Sequence, residues 1–201
     1  MVILWAMKVA VRGCPEAASQ INMQVACQLF SFTRWGQRNC DDRGRDMILV
    51  CGEALVDLFV GPADGGALPG RAVAGGSPFN VAIGLRRLGV ASGFCGGLSQ
   101  DVFGRHLAGL LRAEGVDLAH AVETDRLTTI SVVSTDAHGV PSYAFHGEGK
   151  ADRMVTPADL PSALPDSVQA LTFGSYTLAV DPVGAAYLTL ARREAGRRII
   201  S

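Results

Sequence analysis

Residues Ala72–Val90 read AVAGGSPFNVAIGLRRLGV, and their punctuation decides how the rest of the chain is organised. Gly75 and Gly76 stand before a Ser-Pro pair, which opens an amphipathic run closing on Gly89. Ser77 is expected as the N-cap, Pro78 as a first-turn residue and Gly89 as the C′ residue of a helix. Val81, Leu85 and Leu88 form the stripe expected to face a core, while Asn80 falls on a different stripe with Gly84 and Arg87. A glycine-rich loop feeding a helix is where α/β folds bring main-chain donors close to a ligand.

Working outward, Met47–Cys51 (MILVC) is a continuous apolar run, the pattern of a strand buried on both faces. ASGFCGG from Ala91 and VQALTFGS from Val168 are further short runs bounded by glycines. Asp101 is placed to cap a helix carrying Phe103, Leu107, Leu110 and Leu111, closed by Gly115. Asp181-Pro182 opens a third helix, closed by Gly196. Apolar strands alternating with capped helices imply an α/β fold with a parallel central sheet. Two segments alternate with period two instead: Asp57–Gly76 and Leu127–Gly147, the latter turning at Asp136–Gly139. They predict a small antiparallel β lid, with lid segments about 58–75 and 119–148. Ile199-Ile200 reads as the opening of another strand, so the chain is expected to be truncated at its C-terminal end.

Residues 1–46 show no sustained period and hold three of the five cysteines, Cys14, Cys27 and Cys40. They are expected to be an upstream extension without a fold of its own, with Met47 as the natural start. The five cysteines include no CxxC and no Cys/His pair at zinc spacing, which points to reduced thiols in a cytoplasm and to no metal site. The net charge of −1 comes from intermixed acids and bases, which excludes nucleic acid and anionic membrane as first partners. No apolar run approaches the length of a membrane span.

The helix start could hold a phosphate, but its spacing matches neither GxGxxG nor GxxxxGK[ST]. The missing GxGxxG also argues against a dinucleotide-binding oxidoreductase. A polyhydroxylated ligand fits as well, given side chains to bond its hydroxyls. Asn80 is one such side chain and Asp57, an acid in the apolar stretch GEALVDLFV, is another. A carboxylate there is costly to bury unless several donors satisfy it, as two sugar hydroxyls would. The plainer alternatives are that Asp57 caps a turn and Asn80 bonds a neighbouring carbonyl.

The segments GEALVDL, AGGSPFNVAIGLRRLG, GGLSQDVFGRHLAGLLRAEGVD, TTISVV and YAFHGEGKADRMVT together resemble the ribokinase-like (PfkB) family of sugar kinases, the fructokinases most of all. The resemblance covers Met47–Ser201, the N-terminal part of such a domain. It implies a three-layer α/β fold with a lid, and transfer of the γ-phosphoryl of ATP, with Mg²⁺, to a sugar hydroxyl. It also implies that Asp57 bonds sugar hydroxyls, that Gly75 and Gly76 line the sugar site and that Asn80 reaches it from the helix. In many relatives the lid also makes a homodimer contact. Two features depart from the pattern. The aromatic-Tyr-Arg trio of many relatives reads Phe145-His146-Gly147 here, which argues against an acidic sugar and leaves His146 as a candidate contact. The Gly-Ala-Gly-Asp run whose aspartate is the general base is absent, so no catalytic residue is expected within the chain and the base is expected beyond Ser201. The alternatives are a non-catalytic sugar-binding or dimerisation module, or ribokinase-type or 2-keto-3-deoxygluconate kinase-type specificity. Asp152 and Arg153 follow the lid and could support the site from behind its substrate contacts; the plainer reading is an ordinary solvated pair.

Overall fold

A computed structural model describes residues 46–135 and 141–201. The expected N-terminal extension with its three cysteines, and the turn at Asp136–Gly139, lie outside the described residues. Three strands build the centre of the molecule: β1 (Met47–Cys51), β4 (Ala91–Cys95) and β9 (Val168–Phe173), all parallel, with β1 in the middle. Every residue of β1 is buried, as its unbroken apolar run requires. β10 (Ile199–Ile200) adds to β9 and completes the order β10-β9-β1-β4. Its side chains are half-exposed at the sheet edge, so the expected strand is present but not buried.

The helices cover the two faces of this sheet. α1 (Ser77–Arg87) and α2 (Val102–Ala113) bury Phe79, Ala82, Leu85, Leu107 and Leu111 with Ile48, Val50 and Phe94. α3 (Val183–Glu194) buries Val183, Tyr187 and Leu190 with Leu49 and Leu171. Asp101 caps α2 as its position predicts, accepting from Gly104 N at 2.7 Å. It also accepts from Thr128 N and Oγ1, at 2.8 and 2.7 Å, so one carboxylate ties the helix to a distant segment.

Two readings of the opening stretch need correction. The residue at the N-cap of α1 is Gly76, at φ 104, and Ser77 is already helical. Leu88 is exposed rather than in the core, because the helix ends at Arg87 and Leu88 already belongs to its C-cap.

The second sheet has the order β3-β2-β7-β8, formed by β2 (Leu55–Val60), β3 (Gly70–Gly75), β7 (Ile130–Thr135) and β8 (Pro141–His146). It is mixed and not wholly antiparallel as expected: the hairpins β2–β3 and β7–β8 are joined through a parallel β2–β7 pair. The chain leaves this sheet after β3, runs through α1 and α2, and re-enters along the direction of β2, which demands a parallel pair. β5 (Gly97–Ser99) and β6 (Val122–Thr124) form a separate two-stranded sheet, so the predicted lid segment 119–148 contributes only its later part to the mixed sheet.

Candidate functional site

The central strand order reverses direction around β1, because the chain passes to β4 on one side and then to β9 on the other. Crevices at such reversals, beyond the carboxyl ends of the strands, are where open α/β sheets receive ligands. Here each of the three strand ends carries a glycine: Gly52 after β1, Gly96 after β4 and Gly174 after β9. A Cβ on Gly52 would collide with the Gly174 carbonyl oxygen and Pro78 Cγ, and one on Gly96 with the Gly52 carbonyl oxygen. Backbone packed on backbone thus brings the start of α1 against the sheet.

Glu53 follows at once and is buried, with 1% of its surface exposed. Its carboxylate accepts from Ser77 N (3.3 Å), Ser175 N (2.9 Å), Ser175 Oγ (2.5 Å) and Thr177 Oγ1 (3.2 Å). An internal carboxylate therefore already occupies the partial positive charge at the N-terminus of α1, where a phosphate would otherwise be welcome. Sequence reasoning missed Glu53. Its only local signal is an acid directly after a buried strand, and its partners on the far side lie 122 and 124 residues away.

Asp57 sits in the middle of β2, half-buried, in register with Val73 on β3 and Ser131 on β7. A Cβ on Gly75 would overlap Asp57 Oδ2, so only glycine lets the carboxylate lie against the main chain of the corner. Ser131 is in turn in register with Phe145 on β8, which puts Asp57, Ser131 and Phe145 in one row on one face of the mixed sheet. Ser131 Oγ is buried and has no hydrogen-bond partner among the described residues. The Phe145 ring meets the Tyr176 ring at 6.0 Å, and Tyr176 follows Ser175, which Glu53 holds. The contacts close a circuit: Gly76–Ser77, Glu53, Ser175–Tyr176, Phe145, Ser131, Asp57 and Gly75. The carboxylate, the orphaned hydroxyl and the aromatic rings that this circuit links suit a ligand with several hydroxyls and apolar C–H faces.

The other candidates divide. Asn80 lies one turn into α1, its N–H donating to Gly76 O at 3.0 Å, and its side chain is exposed beside the corner. His146 does not join the row. It is exposed and in register with Ile130, hence on the face opposite Asp57. The solvated pair expected at Asp152-Arg153 is corrected: Asp152 is 1% exposed and accepts from Thr129 Oγ1 at 2.5 Å and from the Tyr176 hydroxyl. Burial pushes its carboxyl above the usual carboxylate range, against the pull of those two hydrogen bonds. Burial and the Asp152 charge likewise push the Tyr176 hydroxyl up, so it stays protonated and donates. A shallow groove of about 480 Å³ lined by Phe173, Leu178, Tyr187 and Leu188 shares no residue with the circuit and offers mostly apolar walls.

Among the described residues no three His, Cys, Asp or Glu side chains gather as a cation cradle; a Mg²⁺ ion that arrives with a nucleotide needs only one or two carboxylates beside the phosphates. None of the described helices is long and apolar enough to cross a membrane.

Residues 48–197 match the family described as pfkB family carbohydrate kinase. The chain is 43% identical over 155 residues to a fructokinase of Rhizobium leguminosarum bv. trifolii, covering 77% of this chain and 47% of that protein. Its fold matches the fructokinase of Xylella fastidiosa solved with bound ATP, with a TM-score of 0.70 and 28% identity, over 77% of this chain and 50% of that one. It also matches a Vibrio cholerae O395 fructokinase solved with fructose, ADP and calcium ion, with a TM-score of 0.60 and 25% identity, over 78% and 50% of the two chains. The chain spans about half the length of the curated relatives it matches.

Proposed function

This chain belongs to the pfkB family of carbohydrate kinases, and from that premise we propose that it forms the sugar-binding part of an ATP-dependent fructokinase. The observation that carries the reading is the circuit around Asp57, in which a half-buried carboxylate lies against a glycine corner and heads a row that ends in Phe145. Asp57 accepts hydrogen bonds from sugar hydroxyls, which satisfies the carboxylate and fixes the ring. Gly75 and Gly76 let the sugar approach the backbone, Asn80 adds a donor and an acceptor from the first turns of α1, and Phe145 offers an aromatic face to the C–H groups. His146, exposed on the opposite face of the second sheet, is given no contact with the sugar. Closure of that sheet excludes water, so that a sugar hydroxyl rather than water receives the phosphoryl group. ATP supplies that group; Mg²⁺ is expected with it, and no step is assigned to the metal here.

The relatives support fructose as the sugar, since the Vibrio cholerae protein was solved with it. Exposed Phe59 and Tyr143 on the mixed sheet support a homodimer in which a second copy covers the lid. Cys51 and Cys95, free and buried, suit a cytoplasmic location. Titration calorimetry of the chain with D-fructose, D-ribose and D-glucose tests the reading: fructose gives the largest heat, and Asp57→Ala abolishes it. Undiminished fructose binding by Asp57→Ala overturns it.

A further inference from the structure

Gly147 directly follows β8 and is buried, though no side chain of its own fills the space above it. A Cβ on Gly147 would stand 2.7 Å from Arg153 Nε and 2.9 Å from its Cζ and Nη2. The Arg153 guanidinium thus occupies the volume that a side chain at position 147 would take. It lies over the Tyr176 ring, 5.0 Å from the centroid, and Tyr176 in turn meets Phe145. The π-face answers the positive charge but accepts no in-plane N–H. Arg153 Nε is buried, with no hydrogen-bond partner among the described residues. A buried donor on a charged group is costly unless a ligand or water supplies the oxygen. Tyr176, and the Phe145 ring that it meets, both belong to the circuit around Asp57.

We infer that Arg153 contacts the substrate of this site and sets its specificity, its guanidinium donating to a hydroxyl oxygen of a neutral sugar. The inference rests on the sugar-site reading above. Neutrality follows from the local charge: Glu53, Asp57 and Asp152 supply three carboxylates around the circuit, against one guanidinium. Asp152 is the neighbour of Arg153 in the chain, and the arginine's charge acts on its carboxyl. A sugar carrying its own carboxylate would meet a negative surrounding, whereas hydroxyl oxygens gain the donors without that repulsion. An arginine brought in from beyond the strand can therefore serve a neutral sugar where the strand itself offers only Gly147.

The test is calorimetry of the full chain with D-fructose and with D-gluconate, using Arg153→Met, the double variant Gly147→Arg/Arg153→Met, and Asp57→Ala. Methionine keeps an apolar stem over Tyr176 and removes the donors. It is expected to weaken fructose binding roughly tenfold or more while the circular-dichroism spectrum stays that of the parent. The double variant puts a guanidinium back into the same volume from the other side and is expected to recover most of that loss, which a packing role would not do. Should Arg153→Met fail to fold, Arg153→Lys reads the same interaction, with a weaker loss expected because the fork is gone. Parental affinity in Arg153→Met, or in Arg153→Lys where that variant is needed, together with lost affinity in Asp57→Ala overturns the assignment of Arg153 and leaves the sugar site standing. Gluconate binding tighter than fructose overturns the neutral-sugar claim, and no fructose binding by the unaltered chain overturns both readings.

Discussion

Gly75 shows how one absent side chain can set a binding geometry. The Asp57 carboxylate takes the space where its Cβ would be, so Gly75→Ala must drive the carboxylate away from the corner or push the β2–β3 hairpin apart. Gly75 has no positive φ, so the backbone itself tolerates alanine and the effect falls on the site rather than on the strand. Fructose binding measured by calorimetry is expected to drop by about tenfold or more, while thermal stability falls by only about 1–2 kcal/mol. Asp57 and both glycines were legible at this scale, because an acid in an apolar stretch and a Gly-Gly pair before a helix stand out in a sequence. Glu53 and Asp152 were not. Each is satisfied by hydroxyls far along the chain, Ser175 and Thr177 for Glu53, Tyr176 and Thr129 for Asp152, and no spacing rule connects such partners.

Among the elements, α2 has its start set by local residues but is fastened by a distant one. Asp101 binds Gly104 within the first turn and Thr128 across 27 residues. Desolvation draws its carboxyl upward, yet the bonds from Thr128 and Gly104, with a smaller one from Ser99, outweigh it and hold the group below the usual range. A carboxylate with a depressed folded-state pKa contributes stability that is fully present above its unfolded value. That contribution is lost as pH falls through the folded value. Asp101→Ala is therefore expected to cost about 2 kcal/mol at neutral pH, and progressively less as pH falls below ~4 and through the depressed folded value, where the parent loses its charged cap as well. Urea unfolding at several pH values reads this directly. The cap itself was legible, since Asp before an i, i+4, i+7, i+8 apolar stripe is a local signal. The mixed character of the second sheet was not: period-two alternation shows which faces are wet but not the direction of the neighbouring strand.

Over the whole molecule, the segment after α3 is held by a buried ion pair rather than by apolar packing. Arg198 pairs with Glu194, each nearly inaccessible, and donates to the carbonyls of Val168 (2.6 Å), Leu164 (2.9 Å) and Pro165 (3.0 Å). Arg198→Met leaves a buried carboxylate and these carbonyls short of donors. It is expected to cost about 3 kcal/mol or more in chemical denaturation, although Ile199 and Ile200 remain unchanged. The parallel central sheet was legible here because MILVC has no polar interruption. The exposure of Ile199 and Ile200 was not, since an apolar pair reads the same at a sheet edge as at its centre.

The reach of Glu53 also bears on how the protein is made. Synthesis delivers β1 and the start of α1 early, and these segments can meet while later ones are still inside the ribosome. The carboxylate between them keeps a single backbone donor, Ser77 N, until Ser175 and Thr177 emerge roughly a hundred residues afterwards. A nascent chain thus carries this buried acid with one of its four donors in place until about a hundred further residues have been made, and the junction of β1, α1 and the segment after β9 is sealed only then.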